Sequence, residues 1–235
     1  MLQTTNWDHQ EMAGWVREQN LLIPGLVHES SDPDQLAQEI SLIVSLRCFD
    51  SLLGNRHFLH RSSILLVGDI AVTTAAFLPQ KGETFDCSQA LVELPISQNA
   101  GTSFLLEGHR WECLPQQQGL FLPGQAMQAL TETATCMLGY NLQPELLAAC
   151  LHRLAPERFD PLQARLFVER PHPINLRDSR IRKIVTWLLA FLNNLGNPGS
   201  ESGSHHSGLM ACSYEQMIYR ATALMLCPEL IATTP

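Results

Sequence analysis

No apolar run in this 235-residue chain approaches the roughly 20 residues that a helix needs to cross a bilayer. The longest, Trp187 to Leu192 and Ala71 to Leu78, fall far short, and a membrane-spanning role is not expected. The opening stretch MLQTTNWDHQEM has neither a basic start nor an apolar segment behind it, so no secretory signal is expected and the protein reads as cytoplasmic. Basic residues are scarce: 15 Lys and Arg stand against 23 Asp and Glu, a formal charge of −8. Neutralising phosphates dominates nucleic-acid affinity, so binding by this chain alone is not expected. The one basic cluster, Arg177, Arg180, Arg182 and Lys183, reads as the solvated face of a helix.

The motifs of common chemistries are missing too. There is no G-x-S-x-G, no C-x-x-C, no H-E-x-x-H and no phosphate-cradling glycine loop. Seven scattered cysteines, an odd number, read as reduced core thiols rather than a disulfide framework. No H-x-H occurs. His57 and His60 are three apart, but no third ligand can be named for them, so no metal or other cofactor is assigned. With no catalytic residue to point to, an enzyme would rest on fold alone, and the chain is read as a non-enzyme.

What is present is punctuation. Between residues 89 and 141, Ser97 to Gly101, Glu107-Gly108, Pro115 to Gly119 and Pro123-Gly124 cut the chain into GTSFLLE, HRWECL, GLFLP and ATCMLGYNL. Each piece is long enough for one strand and too short for a helix. Upstream, Arg61 to Ser97 is rich in Val, Ile, Thr and Phe, with breaks at Gly68-Asp69 and Pro79 to Gly82. Residues 63–141 thus supply about eight strands, the number with which a jelly roll closes and hides its edges.

Helices flank this region. Asp8 to Glu18 reads as a short helix capping the core, or as part of an arm that carries Trp7 and Trp15 over it. Asp32-Pro33-Asp34-Gln35 has a cap, a proline for the first turn and a capping-box partner; a helix is predicted to about Ser45, then a connection to Arg56. PELLAACLHRL, from Pro144, is a further helix, whereas Pro156 to Pro173 reads as loop with one short extended segment. SRIRKIVTWLLAFLNNLG carries a broad apolar stripe, and a last helix spans about Cys212 to Leu226. With the polar tract NPGSESGSHHSG between them, the two form an antiparallel pair. The fold class is α+β: a cupin-like jelly-roll barrel followed by a helical region, divided as arm and helix 1–55, barrel 56–142 and helices 143–235.

Strands followed by helices in this order resemble the ligand-binding and dimerisation region of AraC/XylS-type transcription regulators. The residues that carry the resemblance are LVELPISQNAGTSFLLEGHRWECLPQQQGLFLPGQAMQAL, NLQPELLAACLHRL, SRIRKIVTWLLAF and YEQMIYRATALML. The longer Gln98 to Gly101 turn, where the family has a single glycine, departs from the pattern. The resemblance implies an effector-sensing barrel and a homodimer. It also implies that DNA is reached only through a helix-turn-helix part not found here, so the chain is either a sensor region of a longer regulator or a short relative. Two alternatives stay open: a stand-alone protein-interaction subunit and a cupin-like enzyme.

For a small-molecule effector, the pocket candidates are Phe104, His109, Trp111 and Tyr140, with plain core packing as the competing role of each. His109 and Trp111 share a strand face with Cys113, and Tyr140 shares one with Ala134, Cys136 and Leu138. His109 could also serve only as partner to the indole of Trp111. For the dimer the candidates are Ile184, Trp187, Leu188 and Phe191.

Overall fold

The computed structural model describes residues 8–21, 27–40, 46–52, 57–84, 88–96, 101–195 and 208–231. Trp7, the middle of LLIPGLV, the stretch to Ser45 and the His205-His206 tract lie outside them.

Two antiparallel sheets face each other. Sheet A, in spatial order, is β1 (His28–Ser30), β3 (His60–Val67), β4 (Ile70–Phe77), β11 (Thr135–Leu142), β6 (Ala90–Pro95), β9 (Gln118–Leu122) and β12 (His172–Asn175). Sheet B is β2 (Leu46–Ser51), β5 (Gln80–Thr84), β10 (Met127–Thr131), β7 (Thr102–Leu106) and β8 (His109–Cys113). The punctuation works as read. Glu107 and Gly108, with φ of 50° and 80°, form the two-residue turn between β7 and β8, a left-handed pair that matches strand twist. The barrel also recruits β1 and β2 from before residue 56 and β12 from after residue 142. The connection expected up to Arg56 is corrected in part, because Leu46–Ser51 pairs along β5.

All helices but α2, which packs mainly against β2 of sheet B, lie on the outer face of sheet A. Helix α1 (His9–Glu18) starts at a reciprocal capping box between Asp8 and Glu11. It packs Ala13 and fully buried Val16 on Ala76, Leu78 and Cys136. The Arg61 guanidinium holds its far end, donating to Val16 O at 3.0 Å and to Arg17 O. Helix α2 (Pro33–Ile40) begins as read, with Asp32 Oδ1 accepting from Asp34 N at 2.9 Å.

At the other end of the same face stand α3 (Pro144–Leu154), α4 (Pro161–Val168), α5 (Ser179–Leu195) and α6 (Gly208–Leu226). Helix α4 corrects the loop expected between Pro156 and Pro173. Asp160 Oδ1 accepts from Gln163 N at 2.8 Å, and Gln163 reaches back to Asp160 N, a full capping box with proline at the first position. Helices α5 and α6 run antiparallel: Phe191 meets Tyr214 edge to face at 5.5 Å, while Arg180 donates to Pro228 O at 3.1 Å. Among the described residues no helix is long and apolar enough to cross a membrane.

Candidate functional site

Strand register assigns every side chain of sheet A to one of two faces. One row across it pairs Val72, Tyr140, Val92 and Phe121, all facing the helices. All four are sealed from solvent. The neighbouring row pairs Ile64, Thr73, Gly139 and Glu93, which alternation turns into the barrel. Each of these keeps part of its surface accessible. From sheet B, half-buried Trp111 and Ala129 border the same interior, flanking buried Phe104 in register. Further along the same inward faces Leu120, Leu122, Met137 and Phe77 are buried with Phe104 and Cys113, so the accessible positions mark one less enclosed part of a largely packed interior.

Glu93 is the chemical feature of this inner row. It lies on the central strand β6, between Leu91 and Pro95 on the inward face, and its carboxyl rests over Gly139 on β11. A Cβ at position 139 would stand 2.8 Å from Glu93 Oε1, so glycine is what leaves the carboxyl its place. No hydrogen bond or ion pair reaches that carboxyl among the described residues. Burial alone pushes its pKa up to about 8, with no charged group counteracting. Across the interior, Cys113 donates its thiol to Glu93 O at 3.5 Å, and burial followed by the Glu93 charge raises the thiol's pKa. Glu93 was not among the residues singled out from sequence. The available signal was a charge at the middle of ALVELP, a strand otherwise apolar on both faces.

The four pocket candidates do not converge. Phe104 and Trp111 stand together in the interior cluster. His109, at the start of β8, is exposed, and its Nδ1 pairs with Glu107 O at 3.2 Å rather than with Trp111. Tyr140 is corrected to the opposite face. It is buried against the helices and donates to Thr222 Oγ1 at 2.9 Å, and Thr222 in turn donates to Ile218 O at 2.9 Å. Alternation grouped Tyr140 with Leu138 and Cys136; it did not say which side of the sheet the group would face.

Helix α6 is fixed to sheet A at two further points. Gln143 N–H donates to the Tyr219 hydroxyl at 3.0 Å, and Asp69 N–H at the β3–β4 turn donates to Glu215. Strand β11 therefore touches both compartments through adjacent residues, Gly139 inside the barrel and Tyr140 on α6.

Of the dimer candidates, Leu188 is corrected: it is fully buried with Ile181 and Leu192 in the chain's own core, which uses that stripe of α5. Ile184 and 42%-exposed Trp187 instead border an open groove of about 420 Å³ against Met217, Ala221 and Leu224, rimmed by Lys183 and Arg220. Phe191 stacks on Trp187 at 5.3 Å. A wider cleft of about 890 Å³ runs between the Pro123-Gly124 turn and α3 and α4, with Glu145, His152, Arg165 and Glu169 along it. Among the described residues no group of three or more His, Cys, Asp or Glu could hold a metal ion. His60 is buried in a stack with Phe77 at 5.4 Å, and desolvation followed by the charge of His28 lowers its pKa to about 3.

No family model and no curated protein matches the sequence. Solved structures do. The AraC-like transcriptional activator CuxR superposes with a TM-score of 0.51 at 13% identity, covering 97% of this chain and 68% of that one. A EutQ protein from Clostridium difficile matches at TM-score 0.32 and 9% identity, over 38% of this chain and 71% of that chain. A cupin domain of an XRE-family transcriptional regulator from Enterobacter cloacae matches at 0.31 and 13%, over 36% and 97%. At such identities the likeness to CuxR establishes the fold: a cupin-like barrel followed by helices, in the arrangement of an AraC-like activator.

Proposed function

We propose that the chain is the effector-sensing and dimerisation region of an AraC-type transcription regulator, acting in the cytoplasm without catalysis of its own. A small molecule occupies the barrel, two copies join through the exposed side of the α5–α6 pair, and DNA is contacted only through helix-turn-helix motifs outside these residues. The observation that carries the reading is strand β11, which presents Gly139 to the barrel interior and Tyr140 to α6. A ligand that shifts β11 by a few tenths of an ångström changes the seat of α6, and by no more than its difference in affinity for the two positions.

The groove beside Trp187 supports the dimer part of the reading, since an exposed stacked tryptophan above an apolar trough suits a partner helix. A thermal-shift screen of small metabolites, paired with sedimentation velocity, tests the whole. A ligand should raise the melting temperature and alter the monomer–dimer balance together. A flat screen with a stable dimer would instead favour a protein-interaction subunit, and a stoichiometric transition metal in the purified protein would favour a cupin-like enzyme.

A further inference from the structure

We infer that the barrel takes a small organic cation, an amine or a guanidinium, with Glu93 as its counter-ion and Trp111 as its aromatic wall; this rests on the reading of the barrel as an effector site. Three independent features converge on it. The carboxyl lies on the barrel-facing side of β6, desolvated although its residue keeps some accessible surface, and no described residue hydrogen-bonds or ion-pairs with it. Folded proteins do not ordinarily bury a carboxyl without a partner, because the desolvation cost is large. Among the described residues that partner is missing, and a bound cation would supply it.

Second, the space beside the carboxyl is provided by the backbone. Gly139 leaves the room that a Cβ would close, and the neighbouring inward positions, Thr73 and Leu120, are uncharged. Third, Trp111 stands one inward position along β8 from Cys113, which itself bonds Glu93 O. Inward positions on a strand are about 7 Å apart, so a molecule of a few carbons can meet carboxylate and indole together. The indole face attracts a cation, and its N–H has no partner among the described residues.

Charge sets the selectivity. Cys113 is the titratable group facing Glu93, and no cation among the described residues competes for the carboxylate. Without a bound cation Glu93 keeps its proton to about pH 8. An ammonium ion entering the site draws the carboxyl to its ionised form, and the proton leaves to solvent. Binding at pH 7 therefore releases close to one proton, and amine affinity rises toward pH 8.

The test uses the purified chain with benzylamine and butylguanidine as probes, and benzyl alcohol and pentanamide as their uncharged counterparts. Calorimetry at pH 7 in two buffers of different ionisation enthalpy counts the protons released. The cationic probes should bind at least tenfold more tightly than the uncharged ones, release nearly one proton, and lose at least tenfold affinity in Glu93→Gln. An environment-sensitive apolar dye should still bind that variant. If Glu93→Gln does not fold, the wild-type pH series decides: amine affinity must climb between pH 6 and pH 8 while that of the uncharged probes stays flat. Equal binding of charged and uncharged probes, or binding indifferent to Glu93, overturns the cation site and leaves the sensing barrel standing. Failure of every probe and of the dye to bind folded protein overturns both.

Discussion

The two faces of sheet A are built from the same strands and live in different surroundings. Outward, Val72, Tyr140, Val92 and Phe121 lock into helices, and the hydroxyl of Tyr140 is satisfied by Thr222. Inward, one residue along each strand, Thr73, Gly139 and Glu93 are accessible, and the carboxyl among them has no bond from a described residue. The interior has its own packed cluster, Phe77, Phe104, Leu120, Leu122 and Met137 among them, and the less enclosed positions with the acid stand beside it. Packing against the helices on the outer side adds the stability that lets the inner side carry an unsatisfied carboxyl.

The contrast is sharpest in truncations. Phe121→Ala, on the sealed face, should cost about 3–5 kcal/mol in urea unfolding, whereas Ile64→Ala, on the accessible row, should cost about 1 kcal/mol or less. Equal losses would mean that the interior is as tightly packed as the helix interface. Next in size is Glu93→Gln. The folded carboxyl holds its proton to about pH 8 while an unfolded one gives it up near 4.5, so the native state binds more protons between these values and stability falls as pH rises through them. Replacement by glutamine should therefore stabilise the chain by up to about 4.5 kcal/mol at pH 8.5 and by little at pH 4.

His60 titrates with the opposite sign. Neutral in the fold down to about pH 3 and protonated when unfolded below about 6.5, it makes stability rise with pH across that window. Its replacement by glutamine should flatten the acid limb of the melting-temperature profile. Smaller again is Tyr140→Phe, which removes one hydroxyl while Thr222 keeps its bond to Ile218; about 1 kcal/mol is expected. If β11 relays the barrel's state to α6, that variant should still bind ligand with its effect on association weakened. The smallest change in folding stability is expected for Trp187→Ala, on the surface. Its effect should appear as a weaker dimer in sedimentation.

How much was legible in the chain follows the same division. Turn chemistry and alternation located the barrel strands, because glycine and proline act locally and period two is a local property. Capping chemistry is equally local. Asp32-Pro33-Asp34-Gln35 and Asp160-Pro161-Leu162-Gln163 spell the same cap, but the prolines crowding the second one mask its helix behind the look of a loop. Facing was the part that stayed hidden. Alternation puts Tyr140 and Leu138 on one side and Gly139 on the other, but which side meets helices depends on where distant segments dock. The same holds on α5, where Leu188 and Trp187 belong to one broad stripe and only the docking of the helix decides that one is core and the other surface.

The most direct measurement is a carbon-13 NMR titration of the Glu93 side-chain carboxyl in the ligand-free protein. A midpoint near pH 8 is expected of a carboxyl desolvated inside the barrel without a charged partner. A midpoint near 4.5, the value of a solvated glutamate, would contradict the account of the inner face as the seat of a buried, unpaired acid.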